Sequence, residues 1–300
     1  MEARFPDVEG SLPENSGPAR PEPLPAREPQ LLSAWDRLSL ARRQDRPHTL
    51  DYVKLLISDF VELRGDRLYG DDRAMLGGMG RLGDETVMVV GHQKSRDARE
   101  ILHRLGMPKP EGYRKALRLM KQAEQFGMPV VSFIDTPGAD PGIQSEERGQ
   151  AQAIATNLLE MSRLRTPMVS IVIGEGGSGG ALAIGVTDRI VMLENAVYSV
   201  VSPEGCAAIL WKDASQAATA AEAMRITAED LWHLGIVDEV VPEPAGGAHV
   251  DLQSAAARVR ESLLRNLREL RARYGSGKHL KVESLLEDRW QRFRRIGVFG

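Results

Sequence analysis

Two rhythms of hydrophobic positions alternate along the chain. β-branched and apolar runs at Thr86–Gly91, Pro129–Ile134, Pro167–Ile173, Arg189–Leu193, Ala196–Val201 and Ile236–Val241 read as strands, most of them buried on both faces. Between them, apolar residues return every three or four positions, the spacing of amphipathic helices. Met75–Leu82 and Thr86–Gly91 flank Gly83-Asp84-Glu85, a hairpin signal. Pro110 opens a helix with Tyr113, Leu117, Met120 and Ala123 on one face, and Gly127 closes it. Asp135–Gly142 is a Pro- and Gly-rich loop after a strand. Ser145 is placed to cap a helix running to about Leu164, with Glu146 and Glu147 at its positive end. Ser202-Pro203-Glu204 starts another helix, and Thr227-Ala228-Glu229-Asp230 resembles a capping box whose helix ends at Gly235.

The ends of the chain read differently. Residues 1–30 are rich in Pro, Glu, Gly and Arg, which predicts a disordered or extended arm. Residues 31–73 predict two helices: Leu31–Arg43, and a second after Pro47 carrying Leu50, Val53, Leu56, Ile57, Phe60 and Val61. Neither can bury its stripe alone, so both must pack on the main body or on a partner. Residues 251–300 predict two more helices, the first Arg-rich with Leu263, Leu267 and Leu270 on one side and a solvated opposite face. The core domain spans 74–250. Its strand–strand–helix units, 74–91 with 110–126 and 190–201 with 203–210, argue for an α/β fold with largely right-handed crossovers.

The densest chemical signal is Ile171–Gly185, where an apolar run meets Gly174, Gly176, Gly177, Gly179 and Gly180 before small residues resume. A strand, a tight turn and a helix N-terminus follow one another here. Such a joint offers backbone N–H groups without acceptors to an anion or a developing oxyanion. Three specific chemistries compete. Gly174, Gly176 and Gly179 spell a dinucleotide fingerprint, with Glu194 ending the next strand, but the helix before Asp188 is short and the strand after it leads straight into another strand. Gly176-Gly177-Ser178-Gly179-Gly180 spells a nucleophile elbow, but His249 follows a loop where the hydrolase histidine follows a core strand. The third reading, an oxyanion hole made from the amides of Gly179, Gly180 and Ala181, needs no side chain and meets neither objection. Which pair of amides donates stays open. A β-branched residue at Gly180 is expected to abolish the chemistry and leave folding intact.

Composition narrows the classes. The 300 residues are 42% hydrophobic, enough for one extended domain or two small ones. A net charge of -3 and a pI near 6.1 give no global argument for nucleic acid or an anionic membrane. The single cysteine, Cys206, excludes an internal disulfide and a multi-cysteine zinc site, fits a reducing cytosol, and reads as a small core residue. No apolar run suits a membrane span or a secretory signal, so the predicted location is the cytoplasm. His92 and Lys94, ending an early strand, are candidates for contact with anionic parts of a substrate. The simpler expectation for His92 is a buried, hydrogen-bonded ring, and Lys94 is equally suited to solvent. Asp135 is expected to cap its own loop, and Glu147 to pair with Arg148.

At this point the chain resembles a known family. Thr227–Pro242 is similar to the helix–strand signature of the crotonase superfamily. Gly91–Lys94, Pro108–Met120, Phe133–Ala139, Glu146–Gln150 and Ile173–Gly185 are together similar to the alpha subunit of the bacterial acetyl-CoA carboxylase carboxyltransferase, extended by Ser199–Ala207 and Pro242–His249. The likeness covers roughly 35–250. It implies a crotonase/ClpP-like spiral of ββα units with N- and C-terminal helical extensions. It also implies transfer of a carboxyl group from carboxybiotin, on a separate carrier protein, to acetyl-CoA, giving malonyl-CoA for fatty acid synthesis. The implied assembly pairs two alpha with two beta subunits and works with biotin carboxyl carrier protein and biotin carboxylase. Zinc and most of the CoA contacts are then expected in the beta partner, no metal is expected in this chain, and biotin faces the glycine turn, with Gly138, Ala139, Gly176, Gly177 and Ser178 lining the substrate. A hydratase, isomerase or decarboxylase of the superfamily would need a carboxylate near the hole, and none is evident. Two departures stand out. Asp140 replaces the family's usual aromatic, putting a carboxylate where it could repel carboxybiotin or turn to solvent. The N-terminal segment is shorter and richer in proline.

Overall fold

The computed structural model describes residues 32–96 and 105–297; the arm expected over 1–30 lies outside them. Helices α1 (Ala34–Ala41) and α2 (Thr49–Leu56) come first, then β1 (Ser58–Glu62), β2 (Met75–Leu82), β3 (Glu85–His92), α3 (Pro110–Phe126), β4 (Val130–Thr136), α4 (Ile143–Glu147), α5 (Gln150–Ser162) and β5 (Met168–Gly177). They are followed by α6 (Ser178–Leu182), β6 (Arg189–Leu193), β7 (Val197–Ser199), α7 (Pro203–Trp211), α8 (Ala217–Ala223), α9 (Ala228–His233), β8 (Glu239–Val241), α10 (Leu252–Tyr274) and α11 (Val282–Arg294). The strands form one sheet ordered β1-β2-β3-β4-β5-β6-β8, with β7 paired to the far end of β5. β1–β2–β3 are antiparallel and the rest are parallel. The units β2–β3–α3 and β6–β7–α7 are the repeated ββα pattern expected from the sequence.

Every residue of β4 and β5 is buried, as continuous apolar runs in a sheet covered on both faces require. Local signals set the helix ends. Ser33 and Asp36 form a capping box at α1, Gly127 closes α3 in the left-handed region (φ 64°), and Thr227 caps α9 through Asp230. Both N-terminal helices do pack on the body, α1 against α8 and β5 and α2 against α10 and β1. In α10, Leu263, Leu267 and Leu270 are buried. α11 is clamped by Arg289, only 2% exposed, which pairs with Asp188 and donates to the carbonyls of Met161, Leu164 and Thr166.

Five expectations change. Phe60 and Val61 belong to strand β1, since pairing with β2 outweighs a helical spacing already ended at Ile57. The helix expected from Ser145 to Leu164 is broken by Gly149 (φ 81°) into α4 and α5. Ser145 lies inside α4 and spends its hydroxyl on Asp140 rather than capping. β5 runs on through Gly177, so the turn comes later than the glycines suggest. β8 is limited to Glu239–Val241. Cys206 is half-exposed on α7, not a core residue.

Candidate active site

The site is built on an irregularity between the two central strands. Their register passes from Ile134↔Val172 to Thr136↔Gly176, so β5 advances four residues while β4 advances two. The surplus backbone of β5 cannot pair with β4, and buried groups must find other partners. Arg46 Nε donates to the Ile173 carbonyl at 2.8 Å, and the Glu175 N–H donates to Asp135 Oδ1 at 3.1 Å. Beyond this bulge, β5 pairs with β7 instead of β6, through Glu175–Gly177. The bend delivers Gly177 to the start of α6.

Close packing, more than backbone freedom, explains the glycines. A Cβ on Gly174 would lie 2.3 Å from Asp135 Oδ1, one on Gly177 2.1 Å from the Pro137 carbonyl oxygen, and one on Gly180 2.6 Å from both Ala139 N and Gly138 C. Gly176 faces the Tyr198 ring, and only Gly179 has ordinary room, 3.5 Å from Ile154 Cγ2. The left-handed residue of the turn is Ser178, at φ 51°. The opposing loop is pinned by Thr136, whose hydroxyl donates to the Gly138 carbonyl (2.6 Å) and accepts from the Gly138 N–H (3.1 Å). Gln150 holds its far side through the carbonyls of Pro108 and Asp140.

The structure therefore sets Gly180 against Gly138 and Ala139, Gly177 against Pro137 of the same loop and Gly176 against Tyr198, with Gly179 half-buried and Ser178 exposed at the edge. Ser178, Gly179 and Gly180 occupy the first three positions of α6, whose N–H groups have no acceptor within the helix; Ala181 stands at the fourth. No histidine or carboxylate among the described residues hydrogen-bonds the Ser178 hydroxyl, so the elbow motif lacks its triad.

Behind the turn lies a polar layer. His92 is fully buried. Its Nδ1 accepts from the Asp135 N–H at 3.3 Å, which leaves the proton on Nε2, 3.2 Å from the Gly180 carbonyl oxygen. Lys94 is not a solvent residue: its Nζ meets Asp135 Oδ1 at 2.5 Å. Asp135 lies within β4 and bonds Lys94 and β5, not its own loop, because the bulge presents an N–H that only a side chain reaches. Glu175 pairs with Arg42 of the segment after α1 (2.7 Å), and Arg42 also holds Glu204 of α7 (2.6 Å). Arg148 pairs with Glu111 of α3 (3.1 Å) rather than Glu147, and stacks over Tyr69. Asp140 accepts from the Ser145 hydroxyl, which turns its carboxylate toward the start of α4.

Burial pushes the His92 pKa down to about 4, against the pull of Asp135. As pH falls below the ordinary value of 6.5, the unfolded chain binds this proton before the folded one does. Stability is therefore lost on acidification between about 6.5 and 4, by roughly 2 kcal/mol at about pH 5. The urea midpoint of the natural chain should fall more steeply from pH 7 to pH 5 than that of His92→Gln; parallel slopes would refute the assignment.

Sequence reasoning missed Arg42, Arg46, Thr136 and Glu243 as builders of the site. One signal was available: Glu175 is the only charge in an apolar and glycine stretch, and buried charges need partners. Among the described residues no group of His, Cys, Asp and Glu is arranged to hold a metal ion, and no helix is long and apolar enough to cross a membrane.

The fold is that of carboxyltransferases. Transcarboxylase 12S superposes with a TM-score of 0.62 at 18% identity, covering 77% of this chain and 44% of that one. A Pseudomonas malonate decarboxylase hetero-dimer gives 0.62 at 19%, covering 82% of this chain and 97% of that one. Residues 25–297 match the family described as acetyl co-enzyme A carboxylase carboxyltransferase-like. The chain is 56% identical over 270 residues to the acetyl-coenzyme A carboxylase carboxyl transferase subunit alpha of Geobacter metallireducens, covering 90% of this chain and 83% of that protein. It is 56% identical over 269 residues to the subunit of that name from Methylococcus capsulatus, covering 89% and 82%. This chain belongs to that alpha-subunit family.

Proposed function

We propose that the chain is the alpha half of a carboxyltransferase that moves a carboxyl group from carboxybiotin, held on a separate carrier protein, to the methyl carbon of acetyl-CoA, giving malonyl-CoA for fatty acid synthesis. The observation that carries this reading is the first turn of α6, whose Gly179 and Gly180 amides have no helical acceptor, with Gly180 packed against the Gly138–Ala139 backbone. These amides, with Ala181 next along the turn, face the negative charge that develops on the ureido oxygen. Each is worth about 3–4 kcal/mol by the measure of single donors removed elsewhere. Gly138, Ala139 and Ser178 line the approach, and the buried Gly176 and Gly177 let the strand behind them pack close. When bound, carboxybiotin supplies the carboxyl group, and its ureido nitrogen takes the proton leaving the thioester methyl. This chain then needs no base of its own. The groups nearest the turn support that division of labour: His92 is buried behind it and bonded at both nitrogens, and Asp135 is held by Lys94 and the Glu175 N–H.

A beta subunit completes the site in this proposal, in an assembly of two alpha and two beta chains. That partner contributes the zinc and most of the CoA contacts, while biotin carboxylase and the biotin carrier complete a cytoplasmic system. The exposed apolar end of α7, with Ile209, Leu210 and Trp211 64%, 65% and 45% exposed, supports a partner on this flank. The test is malonyl-CoA formation by the purified chain with and without a cognate beta subunit, beside native mass spectrometry of the co-expressed pair. Carboxyl transfer is expected only from the pair and only with carboxybiotin. Biotin-independent activity of the chain alone would defeat the proposal.

A further inference from the structure

α6 has five residues, too few to hold its own direction, so its orientation is a tertiary decision. Its hydrogen bonding is also irregular. Ala183 N–H donates to the Gly179 carbonyl, but Ile184 N–H donates to Ala181, one residue short of the helical step. The Gly180 carbonyl is thereby left without its helical donor, and the ring it meets is His92. His92 is itself held from two sides. Thr49 Oγ1 donates to its carbonyl at 2.5 Å, and the Asp135 N–H donates to its ring. The backbone ladder between β3 and β4 ends at Gly91↔Phe133, so the imidazole continues it as a side chain and then crosses to α6. Anchoring the Gly180 oxygen from behind fixes the plane of the rigid Gly180–Ala181 peptide, and with it the rotation of the whole turn.

We propose that His92 is a positioning residue for carboxyl transfer: its Nε2–H holds the Gly180 carbonyl and so sets where the first-turn amides of α6 point. The proposal rests on the reading of that turn as an oxyanion site. Of the two bonds made by the ring, only the one to Gly180 reaches α6, and two substitutions separate them. Glutamine places its amide nitrogen where Nε2 stands and keeps the bond to Gly180. Asparagine places its oxygen near Nδ1, keeps the Asp135 bond, and falls short of Gly180.

In the assembled alpha–beta complex, His92→Asn should lower kcat on the order of 10²-fold, with KM for acetyl-CoA unchanged, because misdirected donors cost the transition state and not substrate binding. His92→Gln should stay within about tenfold of the natural enzyme. Asparagine at wild-type kcat, or equal losses in both variants, would overturn the proposal. A second measurement needs no variant. In the chain labelled with 15N-histidine, the His92 proton should sit on Nε2 from about pH 8 to about pH 5, with Asp135 and Lys94 the charged groups facing the ring. An Nδ1–H tautomer would overturn the proposal even if the asparagine variant failed to assemble. A natural complex that forms no malonyl-CoA would instead overturn the transferase reading, leaving the tautomer to judge His92.

Discussion

Gly180→Ala should reduce carboxyl transfer by about 10²–10³-fold or more. The added methyl would stand 2.6 Å from Ala139 N and from Gly138 C. Both are backbone atoms, and Thr136 holds their loop from the other side, so neither can yield as a flexible side chain would. The helix must move away, and the amides at its start move with it. This corrects the expectation that a larger residue here leaves folding intact: the same contact that aims the donors packs the core of the site, so the melting temperature falls too. Gly179→Ala is the folding control. Its methyl meets Ile154 Cγ2 at 3.5 Å, an ordinary contact, and alanine is the better helix former, so stability and assembly should match the natural chain. Malonyl-CoA formation by the assembled complex, beside thermal melts, checks both. Near-normal turnover in Gly180→Ala would remove the case for an oxyanion site at this turn.

Glu243→Ala should cost about 3–5 kcal/mol of stability. Glu243 accepts from both terminal nitrogens of Arg46, at 3.0 and 2.6 Å, and from the N–H groups of Asn195 and Ala248. Both members of the ion pair are almost wholly buried. Removing the carboxylate would strand the Arg46 charge in the interior and release the guanidinium that holds the Ile173 carbonyl in the β5 bulge. Replacing both, as Arg46→Met with Glu243→Leu, should cost less than the single change, since no charge is then left unpaired. Burial alone would raise the Glu243 pKa, but the Arg46 charge and the hydrogen bonds bring it below the ordinary carboxylate value. A lowered folded pKa contributes stability above the unfolded value of 4.5, and that contribution is lost as pH falls through the folded one. Urea titrations of the three proteins at pH 7 check the energies. A single variant as stable as the natural chain, or a double variant worse than it, would show that the pair is not a structural pin.

Much of this protein is legible in its residues because the signals are local. The hairpin at Gly83-Asp84, the stop at Gly127, the Pro203 start after Ser202 and the Thr227 cap all depend on atoms within a few positions, and all appear in the fold. The glycine run marked the candidate turn for a related reason: only a residue without a side chain tolerates a neighbour within 2–3 Å of where a Cβ would stand, whatever that neighbour is. What the neighbour would be was not legible. Asp135 looked like a loop cap because its bond to Glu175 depends on two extra residues in a strand 40 positions away.

Local pattern and composition were enough to establish the alternating α/β class and the placing of most helices and strands, and to single out the glycine turn at 176–181 as the candidate site. Tertiary packing alone decided which glycines touch protein and which face the open side, that Arg42 and Arg46 tie the N-terminal segment to the bulge of β5, and that His92 supports α6 from behind. The physical reason is range. Propensities, caps and periodicities act over one or two turns of chain, whereas the partner of a buried charge, or of a carbonyl skipped by its own helix, is whichever group the folded sheet brings within about 3 Å.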